Sequence, residues 1–240
     1  MQPLLNWVRE PKDPRDHHLI QSLVAVPIPN AVSNKRFMSP VKNQGNLGCC
    51  VGEGSTAGIE YTERQWGTDP SFIGSELFAY YNARQDKSRD TGAFVRDSIK
   101  AMSKLGVAHE SLWPFDVSKF AQKPPPYVYI DGVKQLITKY ARVGTFAELT
   151  RALAQHHVVV GGFDCFESLF QAKKGMIPVP MAGEKIVGGH CICFSGYNLK
   201  LGIVEFKNSW GPSWGDDGYG YLPKWFWDNN HVDDCWVLYK

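Results

Sequence analysis

Phe206-Lys207-Asn208-Ser209-Trp210-Gly211-Pro212-Ser213-Trp214-Gly215-Asp216-Asp217-Gly218-Tyr219-Gly220 is the most informative run in the chain. It reads as a strand ending at Asn208, followed by a loop rich in aromatic rings and glycine. An asparagine at a strand end can accept a hydrogen bond from an imidazole N–H and so fix the tautomer of a histidine. Trp210 is placed to cover such a bond and keep water from it. Taken alone, the run is equally well a turn asparagine beside two core tryptophans.

Working outward, the next run is Gly188-Gly189-His190-Cys191-Ile192-Cys193-Phe194-Ser195-Gly196-Tyr197. Strand alternation puts His190, Ile192 and Phe194 on one face and Cys191, Cys193 and Ser195 on the other. The two glycines let another chain approach the backbone just before the histidine. Further upstream stands Gln44-Gly45-Asn46-Leu47-Gly48-Cys49-Cys50-Val51, a glycine-bearing loop that feeds a predicted helix with Cys50 in its first turn. Unpaired N–H groups and the positive end of the helix dipole favour thiolate there. A lone strand histidine is usually structural, and a lone cysteine is usually a core residue. Together the three runs give Cys, His and Asn in that order, with Cys50 and His190 140 residues apart. The papain group spans roughly 130 to 150.

On these motifs the chain resembles the papain family of cysteine peptidases. The matching pieces are Gln-Gly-x-x-Gly-x-Cys, Gly-Gly-His before a strand, and Asn-Ser-Trp-Gly-x-x-Trp-Gly-x-x-Gly-Tyr. It is also similar to a bacterial and viral-type branch lacking a long propeptide, in Asp13-Pro14-Arg15-Asp16, Asp90-Thr91-Gly92-Ala93, Glu110 to Phe115 and Gly161 to Phe170. The resemblance implies an α+β, two-lobed fold, with a helical left lobe, a β-barrel-like right lobe and the active site in the cleft between. It implies Cys50 as nucleophile, His190 as base, Asn208 as its orienter, and Gln44 with the Cys50 N–H as oxyanion donors. By the same likeness Gly92 and Ala93 pair with substrate backbone, with Phe94 nearby. The Gly189 carbonyl is a second contact, and Cys191 and Val95 wall an apolar pocket for the second residue before the cut. Leu47, Cys49 and Val51 depart from the family's common cysteine, serine and tryptophan. The stretch before Gln44 is short for a separate inhibitory prodomain, which leaves open an unregulated activity, restraint by the N-terminal arm, or control by a regulatory partner.

The rest of the chain fits one large domain or two closely packed halves. Residues 1–38 read as a surface arm, 39–135 as a mainly helical lobe and 136–240 as a mainly β lobe. Predicted helices cover Cys50 to Trp66, Ser75 to Gln85, and Val95 to Leu105 with Gly106 as stop. The Thr145–Glu148 capping box opens another, to about Gln155. Strand-like runs are 158–163, 186–197, 203–208, 219–222 and 235–239. Pro124 to Pro126 reads as a rigid loop. In the first of these helices, Gly52, Gly54 and Gly58 predict close packing by another element.

Lys and Arg number 26 and Asp and Glu 24, a net charge of +2 with no basic block, so nucleic acid is not an expected partner. No apolar run is long enough for a bilayer span, and no signal core is evident. The six cysteines include an adjacent pair and a pair two apart, neither suited to bridging. They read as free thiols in an intracellular, bacterial or viral setting. No cofactor is expected, and no metal, because alternation turns His190 away from Cys191 and Cys193. The expected partner is a peptide or protein substrate. An amidase or acyltransferase with the same triad, or a silent peptide-binding module, would carry the same residues.

Overall fold

The computed structural model describes residues 4–19 and 27–240. The remaining arm positions, 1–3 and 20–26, lie outside the described residues. Helix α1 (Cys50–Trp66) begins at the cysteine of the glycine loop and is buried from Cys50 through Glu63. Glycine in a helix interior is unfavourable by roughly 1 kcal/mol against alanine, and the neighbours of α1 explain its use. A Cβ on Gly52 would stand 2.7 Å from the Glu76 carbonyl oxygen of α2 (Glu76–Ala83). One on Gly54 would meet the Cys191 sulfur at 3.0 Å, and one on Gly58 would meet Val160 at 2.7 Å. The helix is thus wedged between α2 and the sheet at near-backbone distance.

Ser75 caps α2 by accepting from the Phe78 N–H at 3.1 Å; the helix stops at Ala83, two residues short of the expected Gln85. Helix α3 (Val95–Leu105) buries Val95, Ile99 and Met102 and ends at Gly106, which adopts φ +66°. The proline run, expected as a rigid loop, instead opens a helix: Pro126 is the first residue of α4 (Pro126–Gly132). A missing N–H is harmless in that position.

All of the strands but the first lie in the second half. They are β1 (Ala31–Ser33), β2 (Lys139–Val143), β3 (Val159–Phe166), β4 (Ile186–Asn198), β5 (Ile203–Lys207), β6 (Tyr219–Pro223) and β7 (Val232–Tyr239). Helix α5 (Phe146–Ala154) carries the expected capping box, and the short α6 (Trp225–Asp228) precedes β7. Six strands run β2-β7-β3-β4-β5-β6, β1 adds to β4, and every pairing is antiparallel. The lobe expected to be barrel-like is an open sheet, for β2 and β6 end the strand order without pairing to each other among the described residues.

Two cores lie on opposite faces of this sheet. Val160, Cys191, Cys193 and Trp236 pack with Val51, Ile59, Phe78 and Ile99 on the helical side. Phe163, Ile192, Phe194, Phe206 and Phe226 form the other. That division follows the period-two alternation read from β4. A buried ionic cluster ties the two sides together. Lys42 lies 2.7 Å from Glu76, 3.0 Å from Glu60 of α1 and 3.1 Å from Glu110. Lys207, at the end of β5, lies 3.9 Å from Glu60 and donates to Ser39 at 2.6 Å.

Candidate active site

The register of β4 and β5 sets the base and its partner. His190 Nε2 lies 2.7 Å from Asn208 Oδ1, which also accepts from the Ser209 N–H at 2.8 Å. The Asn208 N–H donates to the Gly218 carbonyl at 3.0 Å, so the aromatic loop itself holds the asparagine. Trp210 stacks on the imidazole, with ring centroids 4.5 Å apart and planes inclined by 27°. With Nε2 committed to Asn208, the tautomer leaves Nδ1 as acceptor. Nδ1 is buried and has no hydrogen-bond partner among the described residues, the Cys50 sulfur included.

Cys50 is the first residue of α1 and fully buried. Backbone N–H groups of Cys191, Asn6 and Val51 face its sulfur and favour the thiolate, but burial outweighs them and pushes the thiol up to about 11. Burial likewise holds His190 down to about 4, although its bond to Asn208 acts the other way. The helix terminus was expected to hold Cys50 as thiolate. Here burial in a cleft closed to water works against the charged form of both groups. The sulfur nonetheless lies against the amide of Cys191, the residue next to the histidine.

The N-terminal arm closes the cleft. The Leu4 carbonyl accepts from Gln44 Nε2 at 3.2 Å. The Trp7 N–H donates to the Gly189 carbonyl at 2.9 Å, and the Val8 N–H to the Ala93 carbonyl at 3.4 Å. Asn6 and Trp7 thereby form parallel bridges with Gly189 and Ala93. The indole of Trp7 is buried beneath them. Further along, Glu10 sits between Arg96 of α3 at 3.2 Å and Arg142 of β2 at 3.3 Å. Its N–H donates to Asp234 at 2.9 Å. Asp16 bridges the same two arginines at 2.6 and 3.2 Å. The arm is therefore fastened to both sides of the cleft.

Gln44, Gly92, Ala93 and Gly189 border this groove, whereas the expected pocket walls lie elsewhere: the Cys191 sulfur packs against Gly54 of α1 and Val95 is buried in the helical-side core. Ser209 Oγ donates to Gln44 Oε1 at 2.7 Å, which turns the amide nitrogen of Gln44 toward the arm carbonyl. Gly92 has φ +74° and receives the Asn6 carbonyl so closely that a Cβ would lie 1.9 Å from it. Phe94 caps α3 and lines a hollow of about 190 Å³ with Val8, Gln85, Thr91, Gly92 and Ala93. Cys191 lies on the helical face of β4, its backbone N–H toward Cys50. Cys49 is buried at the N-cap of α1, and all six cysteines are free. Sequence reasoning missed the arm residues Leu4, Asn6 and Trp7 and the glycine beneath the indole, Gly162. The apolar Leu4-Leu5-Asn6-Trp7-Val8 patch inside a charged, proline-rich arm was the signal available for the first three. Asp90 was noted only in a motif. It accepts from the Gly48 N–H at 2.9 Å and from Tyr80, pinning the glycine loop.

A cysteine heading a buried helix, a histidine held by an asparagine under a tryptophan, and a glutamine amide at the groove define a papain-type thiol peptidase. Residues 28–232 match the papain family cysteine protease profile, and the chain belongs to that family. It is 34% identical over 212 residues to an uncharacterised peptidase C1-like protein of Acanthamoeba polyphaga mimivirus, covering 82% of this chain and 68% of that protein. Papain of Carica papaya is 25% identical over 190 residues, 77% of this chain and 51% of the papain sequence. The chain spans 65% of cysteine proteinase 3 of Entamoeba histolytica. The crystal structure of xylellain, a cysteine protease from Xylella fastidiosa, superimposes with a TM-score of 0.87 at 29% identity, over 98% of this chain and 96% of that one. No described helix is long and apolar enough to cross a membrane.

Proposed function

We propose that the chain hydrolyses peptide bonds through Cys50, His190, Asn208 and Gln44, and that the arm holds it latent. One observation carries this reading. An extended backbone already lies in the groove, bound by Gln44 Nε2 and the Gly189 and Ala93 carbonyls, the groups expected to hold a substrate. The Asn6 N–H faces the Cys50 sulfur, and the bridges of Asn6 and Trp7 to Gly189 and Ala93 are parallel. While the arm lies there, a substrate cannot reach the same groups.

With the arm displaced, water re-enters and both charged forms become accessible. The thiol proton passes to His190 Nδ1, and Nε2 stays on Asn208. The thiolate attacks the peptide carbonyl carbon and a C–S bond forms. The oxyanion is held by Gln44 Nε2 and the Cys50 N–H, each such donor worth about 3–4 kcal/mol of barrier. His190 gives its proton to the leaving amine as the C–N bond breaks, then takes one from the water that cleaves the thioester. The six free, buried thiols fit action in a reducing compartment. The test is digestion of a peptide library by wild type, Trp7→Ala and Trp7→Ala/Cys50→Ala. Cleavage is expected to be slow in the first, fast in the second and absent in the third. Turnover surviving loss of Cys50 would place the nucleophile elsewhere. Binding without turnover, with iodoacetamide labelling all six thiols alike, would make the chain a peptide-binding module.

A further inference from the structure

Between α1 and the strands that deliver His190 and Asn208 lies a small cavity of about 10 Å³, room for a single water. Glu53, Gly54 and Glu60 of α1 line it, with Cys191 of β4, Lys207 and Asn208. Two of these residues carry a buried polar atom with no hydrogen-bond partner among the described residues, Glu53 Oε1 and Asn208 Nδ2. The residues themselves are 5% and 3% exposed. One atom is an acceptor and the other a donor. The other charged groups on the wall have their partners. Glu60 accepts from the Gly74 N–H at 2.8 Å and from Ser39, and Lys207 donates to Ser39 at 2.6 Å. Glu53 follows Cys50 by three positions, so it stands on the same side of α1, one turn further on. A buried polar group left unpaired is costly, and a buried water bonded to several such groups is the usual remedy.

We infer that Glu53 is a positioning residue, joined to the Asn208 amide nitrogen through one buried water. Resting on the peptidase reading above, it acts through Asn208 on His190. The water accepts from Asn208 Nδ2 and donates to Glu53 Oε1. An asparagine amide has two ends of opposite character, and either can be turned toward a neighbour. In the orientation found, Oδ1 accepts from His190 Nε2 at 2.7 Å and from the Ser209 N–H at 2.8 Å. Nδ1 of His190 is then the acceptor that takes the Cys50 proton. Reversed, the amide would present N–H groups to both neighbours, and His190 would have to accept at Nε2 and carry its proton on Nδ1. That tautomer cannot take a proton from Cys50. The bridge to Glu53 opposes the reversal, because it holds the donor end of the amide at the cavity.

Glu53→Gln keeps an oxygen for the water, and Glu53→Met has a like shape without one. In the full chain carrying Trp7→Ala, Glu53→Met should lower kcat about tenfold or more with KM within about threefold, and Glu53→Gln should keep kcat within about threefold of the parent. Equal kcat in all three, or equal losses in the Gln and Met variants, overturns the inference. Two further readouts need no turnover, so they decide the matter even if no peptide is cut. With nitrogen-15 histidine in the full chain, His190 should show a single tautomer, protonated at Nε2, with Glu53 or Glu53→Gln, and a mixture of both tautomers with Glu53→Met. The same single tautomer in the Met variant refutes the inference even if peptides are cut. The last readout depends on no variant folding. In the unsubstituted chain, a long-lived water should give a nuclear Overhauser contact to the side-chain amide protons of Asn208, and its absence refutes the bridge.

Discussion

Two parts of this molecule omit side chains so that something else can lie close, and they differ in what fills the space. Along α1, Gly52, Gly54 and Gly58 are met by Glu76, Cys191 and Val160, residues of the folded body itself. At the groove, Gly162 and Gly189 are met by Trp7 of the arm. The first set of neighbours leaves only when the protein unfolds. In the proposed latency the second leaves while the body stays folded. Close packing of this kind would then serve stability in one place and access in the other.

The largest way to break the symmetry is Trp7→Ala. Emptying a buried tryptophan site costs on the order of 3–5 kcal/mol, here charged against docking of the arm. Iodoacetamide labelling of Cys50 should rise by about two orders of magnitude, and the denaturation midpoint should move far less than for a core residue. Gly52→Ala is the counterpart. Its methyl group would press on the backbone oxygen of Glu76, and overpacking of that kind costs about 1–3 kcal/mol. Urea titration should record the loss, with Cys50 labelling unchanged below the transition.

A smaller but sharper contrast lies in pH. With the arm docked, Cys50 titrates near 11, so at neutral pH its labelling rate should climb about tenfold per pH unit. With Trp7→Ala, the thiolate–imidazolium pair should give a rate nearly flat around neutrality. A wild-type profile with the same plateau would mean that the arm does not control the cysteine. The smallest effect is far from the groove. Burial works against the charged form of His109, but Asp131 at 2.8 Å and Asp69 at 3.1 Å outweigh it and raise its pKa above the usual 6.5. Its contribution to stability is complete below 6.5 and lost as pH rises through the raised value. His109→Gln should flatten the Tm-versus-pH curve across that window.

The local signals were readable where they repeat or punctuate. Helix α1 begins and ends at Cys50 and Trp66 as its glycine loop and periodicity predict, α3 stops at Gly106, and Thr145 and Glu148 cap α5. Strand alternation sorts β4 onto its two faces. Cys50, His190, Asn208 and Gln44 were all named from motifs, and the structure gathers them round one groove. What the chain did not announce depends on distant partners. β1 has three residues and β2 a sequence, Lys-Tyr-Ala-Arg-Val, without clean alternation; both exist by pairing with β4 and β7. Trp7 and Gly162 make sense only together, and no periodicity links an arm residue to a strand glycine so far along the chain. The burial that works against a charged Cys50 was hidden for the same reason: the helix terminus is local, whereas the arm that covers it is not.

The clasp that Glu10 and Asp16 make with Arg96 and Arg142 has a kinetic corollary. Glu10 lies three positions after Trp7, a leash of roughly 10 Å at full extension. An indole that slips out while Glu10 stays fastened remains beside its seat, so recapture is a first-order event and diluting the protein will not awaken it. A soluble competitor must match an effective concentration on the order of millimolar. Scission of the chain between Trp7 and Glu10 would turn that reversible stopper into a departing fragment, and the switch would then run one way.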